Sequence, residues 1–212
     1  MRKKLIAEFI GTYFLVFAGT GAIVINEITK SLTHVGIALT FGLVVMALIY
    51  TFGHISGAHF NPAVSIGFVV NGDMSIRECL LYIVSQLLGA LSASATLYAL
   101  FGNIAALGST LPKFSWQQSF VLELILTFAL MMVILGSAVH GKAMKSFAGV
   151  AIGATVGLEA MFAGPICGAS MNPARSIAPA VVSGHLEHLW IYIVATILGA
   201  VLASLVYKTI HE

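Results

Sequence analysis

The 212-residue chain is 59% hydrophobic and only 8% charged, with a formal net charge of +2, whereas soluble domains carry about 25% charged residues. That composition describes an integral membrane protein, and without a basic block or an acidic tail it excludes nucleic acid as a partner.

Six stretches are long enough to cross a bilayer: roughly 5–25, 34–52, 80–101, 119–138, 147–163 and 189–207. The basic start, Met1-Arg-Lys-Lys4, imitates a signal peptide, but the apolar run behind it is span-length and lacks a small-residue cleavage pattern, so it is read as the first span. Arg2, Lys3, Lys4, Arg77, Lys142, Lys145 and Lys208 fall on the side of the N-terminus, against Lys30, Lys113 and Arg175 on the other. The imbalance predicts a multi-pass protein of the plasma (inner) membrane with both termini in the cytoplasm. On this topology Cys79 and Cys167 lie near opposite faces and are not expected to pair.

After the second and fifth spans come two related stretches, Ser56-Gly-Ala-His-Phe-Asn-Pro-Ala-Val-Ser65 and Cys167-Gly-Ala-Ser-Met-Asn-Pro-Ala-Arg-Ser176. In each, an Asn stands where a helix begins and Pro follows at the first helical position, where its missing N–H is harmless. The apolar runs after Asn61 and Asn172 last about ten residues, or roughly 15 Å, half of a hydrocarbon core about 30 Å thick. Two such half-helices entering from opposite faces would meet at the midplane. Each Asn oxygen would cap its own first turn, leaving the NH2 donors to point away from the helix.

The repetition extends further. Glu8-x-x-x-Thr12-x-x-Leu15 in span one matches Glu123-x-x-x-Thr127-x-x-Leu130 in span four, Gly36-Ile-Ala38 matches Gly149-Val-Ala151, and Leu87-Leu-Gly-Ala90 matches Ile197-Leu-Gly-Ala200. The chain is therefore read as one transmembrane domain, 1–212, with internal repeats at about 1–105 and 115–212. Three crossings per half reverse the chain direction, so the halves are inverted. The predicted fold is an all-α membrane protein of six transmembrane helices and two re-entrant half-helices.

Glu8 and Glu123 are carboxylates inside apolar spans, where an unpaired charge is expensive. Their symmetry favours loop-bracing, by accepting backbone N–H groups of the re-entrant loops, over proton relay. Glu159 has no counterpart in span two; bracing and lining a conduit both stay open for it. Arg175, where the first copy has Val64, breaks the symmetry and would place one cation beside a polar conduit, donating to solute and repelling cations. The seven histidines show no metal spacing, so neither a metal nor a cofactor is expected.

On the paired Asn-Pro-Ala motifs, Arg175 and the two Glu-x-x-x-Thr-x-x-Leu segments, the chain resembles the aquaporin, or major intrinsic protein, family over nearly its whole length. The resemblance implies an hourglass architecture, passive conduction and a homotetramer with one pore per subunit. It also implies that Asn61 and Asn172 are midplane donors, that Gly57, Ala58, His59, Gly168, Ala169 and Ser170 present pore carbonyls, and that Phe41, Ala160, Ala169 and Arg175 form the selectivity filter. The stretches from Gly53 and Ala163 are most similar to the nodulin-like branch and its bacterial relatives, which often pass glycerol and neutral metalloid hydroxides. Departures are Ala160 at a place resembling the His site of water-selective members, Ser176 where glycerol facilitators have Asp, Phe41 for Trp, Glu159, and Thr196 for a usual proline.

The expected function is a passive channel, not an enzyme, conducting water and small uncharged solutes through the lipid bilayer while excluding protons and ions. Cys167, close to the filter, makes mercurial inhibition an open question. The alternatives are a strictly water-selective channel, a proton-coupled transporter using the intramembrane glutamates, and a formate or nitrite type channel. An intramembrane enzyme lacks a set of groups spaced for catalysis.

Overall fold

The structure, a computed structural model, describes residues 1–211. Its helices are α1 (Arg2–Thr29), α2 (Thr33–Ser56), α3 (Pro62–Asn71), α4 (Ile76–Phe101), α5 (Trp116–Ile134), α6 (Ala148–Cys167), α7 (Pro173–Ser183) and α8 (Leu189–His211). Six of the helical segments are long and apolar enough to cross a membrane. The short ones are α3 and α7, at 10 and 11 residues. The fourth span, α5, continues beyond Ile134 through a wider π turn, Leu135–Val139.

The packing repeats in pairs. Helix α1 packs against α4 as α5 packs against α8, and α3 lies on α8 as α7 lies on α4. Each half-helix therefore rests on the last span of the other half, so the two halves interlock. Close approach rests on glycine. A Cβ on Gly89 would stand 2.3 Å from the Phe9 carbonyl oxygen, and one on Gly199 would stand 2.4 Å from that of Leu124. At the α2–α6 crossing, Gly42 and Gly153 each face the other's carbonyl oxygen at 2.7 Å from the notional Cβ. Without a hydrophobic drive between helices in lipid, such small-residue contacts supply the packing.

Large apolar side chains such as Leu43, Leu88 and Phe162 are more than half exposed on the outer surface. The interior holds an uncommon load of polar groups, including Glu8, Glu123, Gln86, Asn61, Asn172 and Arg175, each at most 5% exposed. An apolar exterior around a polar axis suits a lipid solvent.

Candidate functional site: a re-entrant conduit

The site is built from the two loops that lead into α3 and α7. Asn61 and Asn172 are extended, with φ of −155° and −151°, and each caps its half-helix. The Asn61 Oδ1 accepts from the N–H of Ala63 at 2.9 Å, and the Asn172 Oδ1 accepts from that of Ala174 at 3.0 Å. Proline follows at the first helical position in both. One NH2 donor of each Asn then crosses to the other loop: Asn61 Nδ2 donates to the Met171 carbonyl at 2.7 Å, and Asn172 Nδ2 to the Phe60 carbonyl at 2.9 Å. The sequence reading left both donors of each amide free. The structure spends one of each on a reciprocal tie that locks the half-helices tip to tip.

The loops before the asparagines are backbone-strained in the same pattern. Gly57, Ala58 and Phe60 have φ of 86°, 54° and 50°, and Gly168, Ala169 and Met171 have 89°, 41° and 54°. Left-handed non-glycine residues cost on the order of 1–3 kcal/mol each and persist only when their surroundings over-determine them. The buried glutamates do so. Glu8 accepts from the N–H groups of His59 (3.0 Å) and Phe60 (2.7 Å), from the Ser56 hydroxyl (2.7 Å) and from Gln86 Nε2 (2.8 Å). Glu123 accepts from the N–H groups of Ser170 (2.8 and 3.0 Å) and Met171 (2.9 Å).

These bonds fix the direction of the carbonyls. In a trans peptide the C=O points opposite to the N–H of the same unit. With the N–H groups of residues 59 and 60 turned to Glu8, the carbonyls of Ala58 and His59 face away from it. Ala169 and Ser170 are arranged likewise about Glu123. Ala58, His59, Ala169 and Ser170 all line one internal cavity.

That cavity, about 560 Å³, runs from His54, Lys145 and Ser146 on the side of the chain termini to Asn61, Asn172 and Arg175. A second cavity of about 370 Å³ opens on the other side, lined by His34, Ala160, Gly164, Pro165 and Gly168. Phe41 and Arg175 line both, so the two cavities adjoin at this pair. Of the four expected filter positions, Phe41 and Arg175 sit at this join, with Ala160 on its outer and Ala169 on its inner side. Arg175 is 2% exposed. Its Nη1 donates to the Gly108 carbonyl at 2.7 Å, and its Cζ stands 5.0 Å over the Phe41 ring. Gly108 ends a turn in which Ala105, Ala106 and Leu107 are left-handed, a conformation that no proline or Asn-Gly signal announced. Two half-helix N-termini, each equivalent to roughly half a positive charge, and this guanidinium make this region electropositive.

Arg175, counted among the outer-face charges and read as a cation beside the conduit, lines both cavities. Glu159 is buried, but it lines neither cavity and its Oε2 finds no hydrogen-bond partner among the described residues, so neither role left open for it is seen. Cys167 is fully buried, its Sγ held between the Ala163 carbonyl (3.5 Å) and the Ala169 N–H (3.4 Å), and among the described residues it too lies outside both linings. Sequence reasoning did not single out Gln86, Ser56 or Gly108. For Gln86 a signal existed, an amide inside an apolar span at helical distance from Gly89-Ala90.

The family model described as Major intrinsic protein matches residues 1–207. The chain belongs to that family. It is 48% identical over 211 residues to "Probable aquaporin NIP-type" of Nicotiana alata and to "Nodulin-26" of Glycine max, in each case over 99% of this chain and 78% of the relative. Among solved structures it is similar to the aquaglyceroporin from Plasmodium falciparum, with a TM-score of 0.86 and 29% identity over 98% of this chain and 96% of that one. The major intrinsic protein fold thus accounts for the six spans, the paired half-helices and the conduit between them.

Proposed function

We propose that the protein is a passive channel for water and small uncharged solutes such as glycerol and neutral metalloid hydroxides, closed to protons and ions. The observation that carries this reading is the reciprocal tie of Asn61 and Asn172. It leaves one N–H of each amide free at the wall of the inner cavity. A water there accepts from both, so its lone pairs are occupied and its protons point outward to neighbours above and below. The chain of donors is interrupted at that molecule. The two helix N-termini and Arg175 oppose hydronium and other cations in a low-dielectric wall.

In this reading Gly57, Ala58, His59, Gly168, Ala169 and Ser170 supply the acceptors that replace hydration on either side, while Glu8 and Glu123 brace the loops. The filter is Phe41, Ala160, Ala169 and Arg175. Two alanines leave more room than an imidazole would, and the Phe41 ring, with Arg175 Cζ 5.0 Å over it, sets an apolar edge beside the guanidinium donors, an arrangement suited to a solute with carbon on one side and hydroxyls on the other. The family relatives named aquaporin and aquaglyceroporin support both parts of the solute range. A proton relay is disfavoured because both oxygens of Glu8 and of Glu123 are already held by donors.

The oligomer is proposed to be a homotetramer in the plasma (inner) membrane, with both termini cytoplasmic, the exposed apolar surface being shared between lipid and neighbouring subunits. The test is flux in sealed vesicles loaded with a pH dye. A glycerol gradient should collapse without accumulation, and an imposed potential should drive no proton current above that of protein-free vesicles. Uphill solute movement or a protein-dependent proton current would defeat the reading.

A further inference from the structure

His34 stands exposed in the first turn of α2, at the outer mouth of the passage, and the conduction scheme above makes no use of it. Its Nε2 lies 2.6 Å from the backbone carbonyl oxygen of Met161 in α6. That carbonyl differs from its neighbours. In an α-helix it would accept from the N–H four residues on, but residue 165 is a proline inside α6 and has no N–H to give. The imidazole supplies the missing donor from another helix. Because a carbonyl only accepts, the bond requires the proton on Nε2.

The ring also rests on the α6 backbone: a Cβ built on Gly164 would stand 3.2 Å from His34 Cε1. His34, Gly164 and Pro165 line the outer cavity together with Phe41, Ala160 and Arg175. Toward the other side, α2 and α6 are held by the close approach of Gly42 to Gly153. At the mouth the helices have no such glycine pair, and the His34–Met161 bond spans them instead.

We propose that His34 is a positioning residue for solute selectivity: by filling the carbonyl that Pro165 leaves empty, it ties α2 to α6 and sets the width of the passage above Phe41 and Ala160. The inference rests on the channel reading and adds to it a determinant of which neutral solutes enter. Losing the tie lets the two walls part, which admits glycerol more readily while leaving single-file water little changed.

The test is a double-variant cycle in proteoliposomes with wild type, His34→Ala, Pro165→Ala and the double variant, measuring water and glycerol permeability for each. His34→Ala should raise the glycerol-to-water ratio by about threefold or more, the scale of one lost hydrogen bond. Pro165→Ala returns an N–H to the Met161 carbonyl, so in that background His34→Ala should change the ratio by less than half as much. An equal change in both backgrounds, or none in either, overturns the proposal. If His34→Ala alone fails to fold, recovery of folded protein in the double variant supports the tie, and failure of both overturns it. Wild-type vesicles no more permeable to water than protein-free ones would defeat the channel reading itself, a result separate from an additive cycle in a conducting protein.

Discussion

Replacing Glu8 by Gln separates a structural brace from a proton carrier. Each Glu8 oxygen takes two donors, Oε1 from Ser56 and His59 and Oε2 from Phe60 and Gln86, at 2.7–3.0 Å. A glutamine must put its NH2 on one side or the other. On the Oε2 side Gln86 can flip, since its own Oε1 is unpartnered among the described residues, but the Phe60 N–H then faces another N–H. On the Oε1 side the His59 N–H suffers the same fate. One buried backbone donor left empty costs about 1–3 kcal/mol, and the bonds that survive lose their charge assistance. The total is about 2–5 kcal/mol, or a fall in melting temperature of about 5–15 °C for a chain of this size. Because the Ala58 and His59 carbonyls are aimed by those same N–H bonds, water permeability per folded molecule should fall as well. The assays are thermal unfolding in detergent and stopped-flow light scattering of vesicles. A variant that melts within about 1 °C of wild type and conducts water normally would refute the bracing argument. A relay predicts that pattern, with only a pH-driven flux lost.

Other expectations follow from the same geometry. Ala160→His, which places an imidazole at the outer side of the Phe41–Arg175 join, should reduce glycerol permeability several-fold more than water permeability; proportional losses would show that position 160 is not at the filter. Mercuric ion should leave water flux unchanged, because Cys167 is fully buried outside both cavity linings. Inhibition that disappears in Cys167→Ser would contradict this. Gly89→Ala and Gly199→Ala, whose new methyl groups would meet backbone oxygens at 2.3 and 2.4 Å, should each destabilise by about 1–3 kcal/mol or more. Gly136→Ala meets nothing within 4 Å among the described residues and should melt with wild type.

Much of the fold was legible because its signals are local. Span length, the Asn-Pro helix starts and the repeated Glu-x-x-x-Thr segments are each contained in a few residues, and the observed half-helices begin at Pro62 and Pro173 as the capping argument requires. What stayed hidden depends on which residues meet across the molecule. Nothing near Asn61 announces that one of its donors belongs to the Met171 carbonyl, nor that Gly108, at the end of a left-handed turn, receives Arg175. The vacancy that His34 fills was half legible, since Pro165 marks a carbonyl without a helical donor. Its partner, 127 residues away, was not. Cys167 was left open for a related reason: adjacency in sequence to filter residues says nothing about which side of the loop a side chain takes.

The most direct test of the central claim is stopped-flow light scattering of proteoliposomes stepped first into an impermeant osmolyte and then into glycerol, beside protein-free vesicles. The account predicts shrinkage far faster than in the controls, followed in glycerol by rapid reswelling as the solute enters. Shrinkage at the rate of the protein-free vesicles would contradict it.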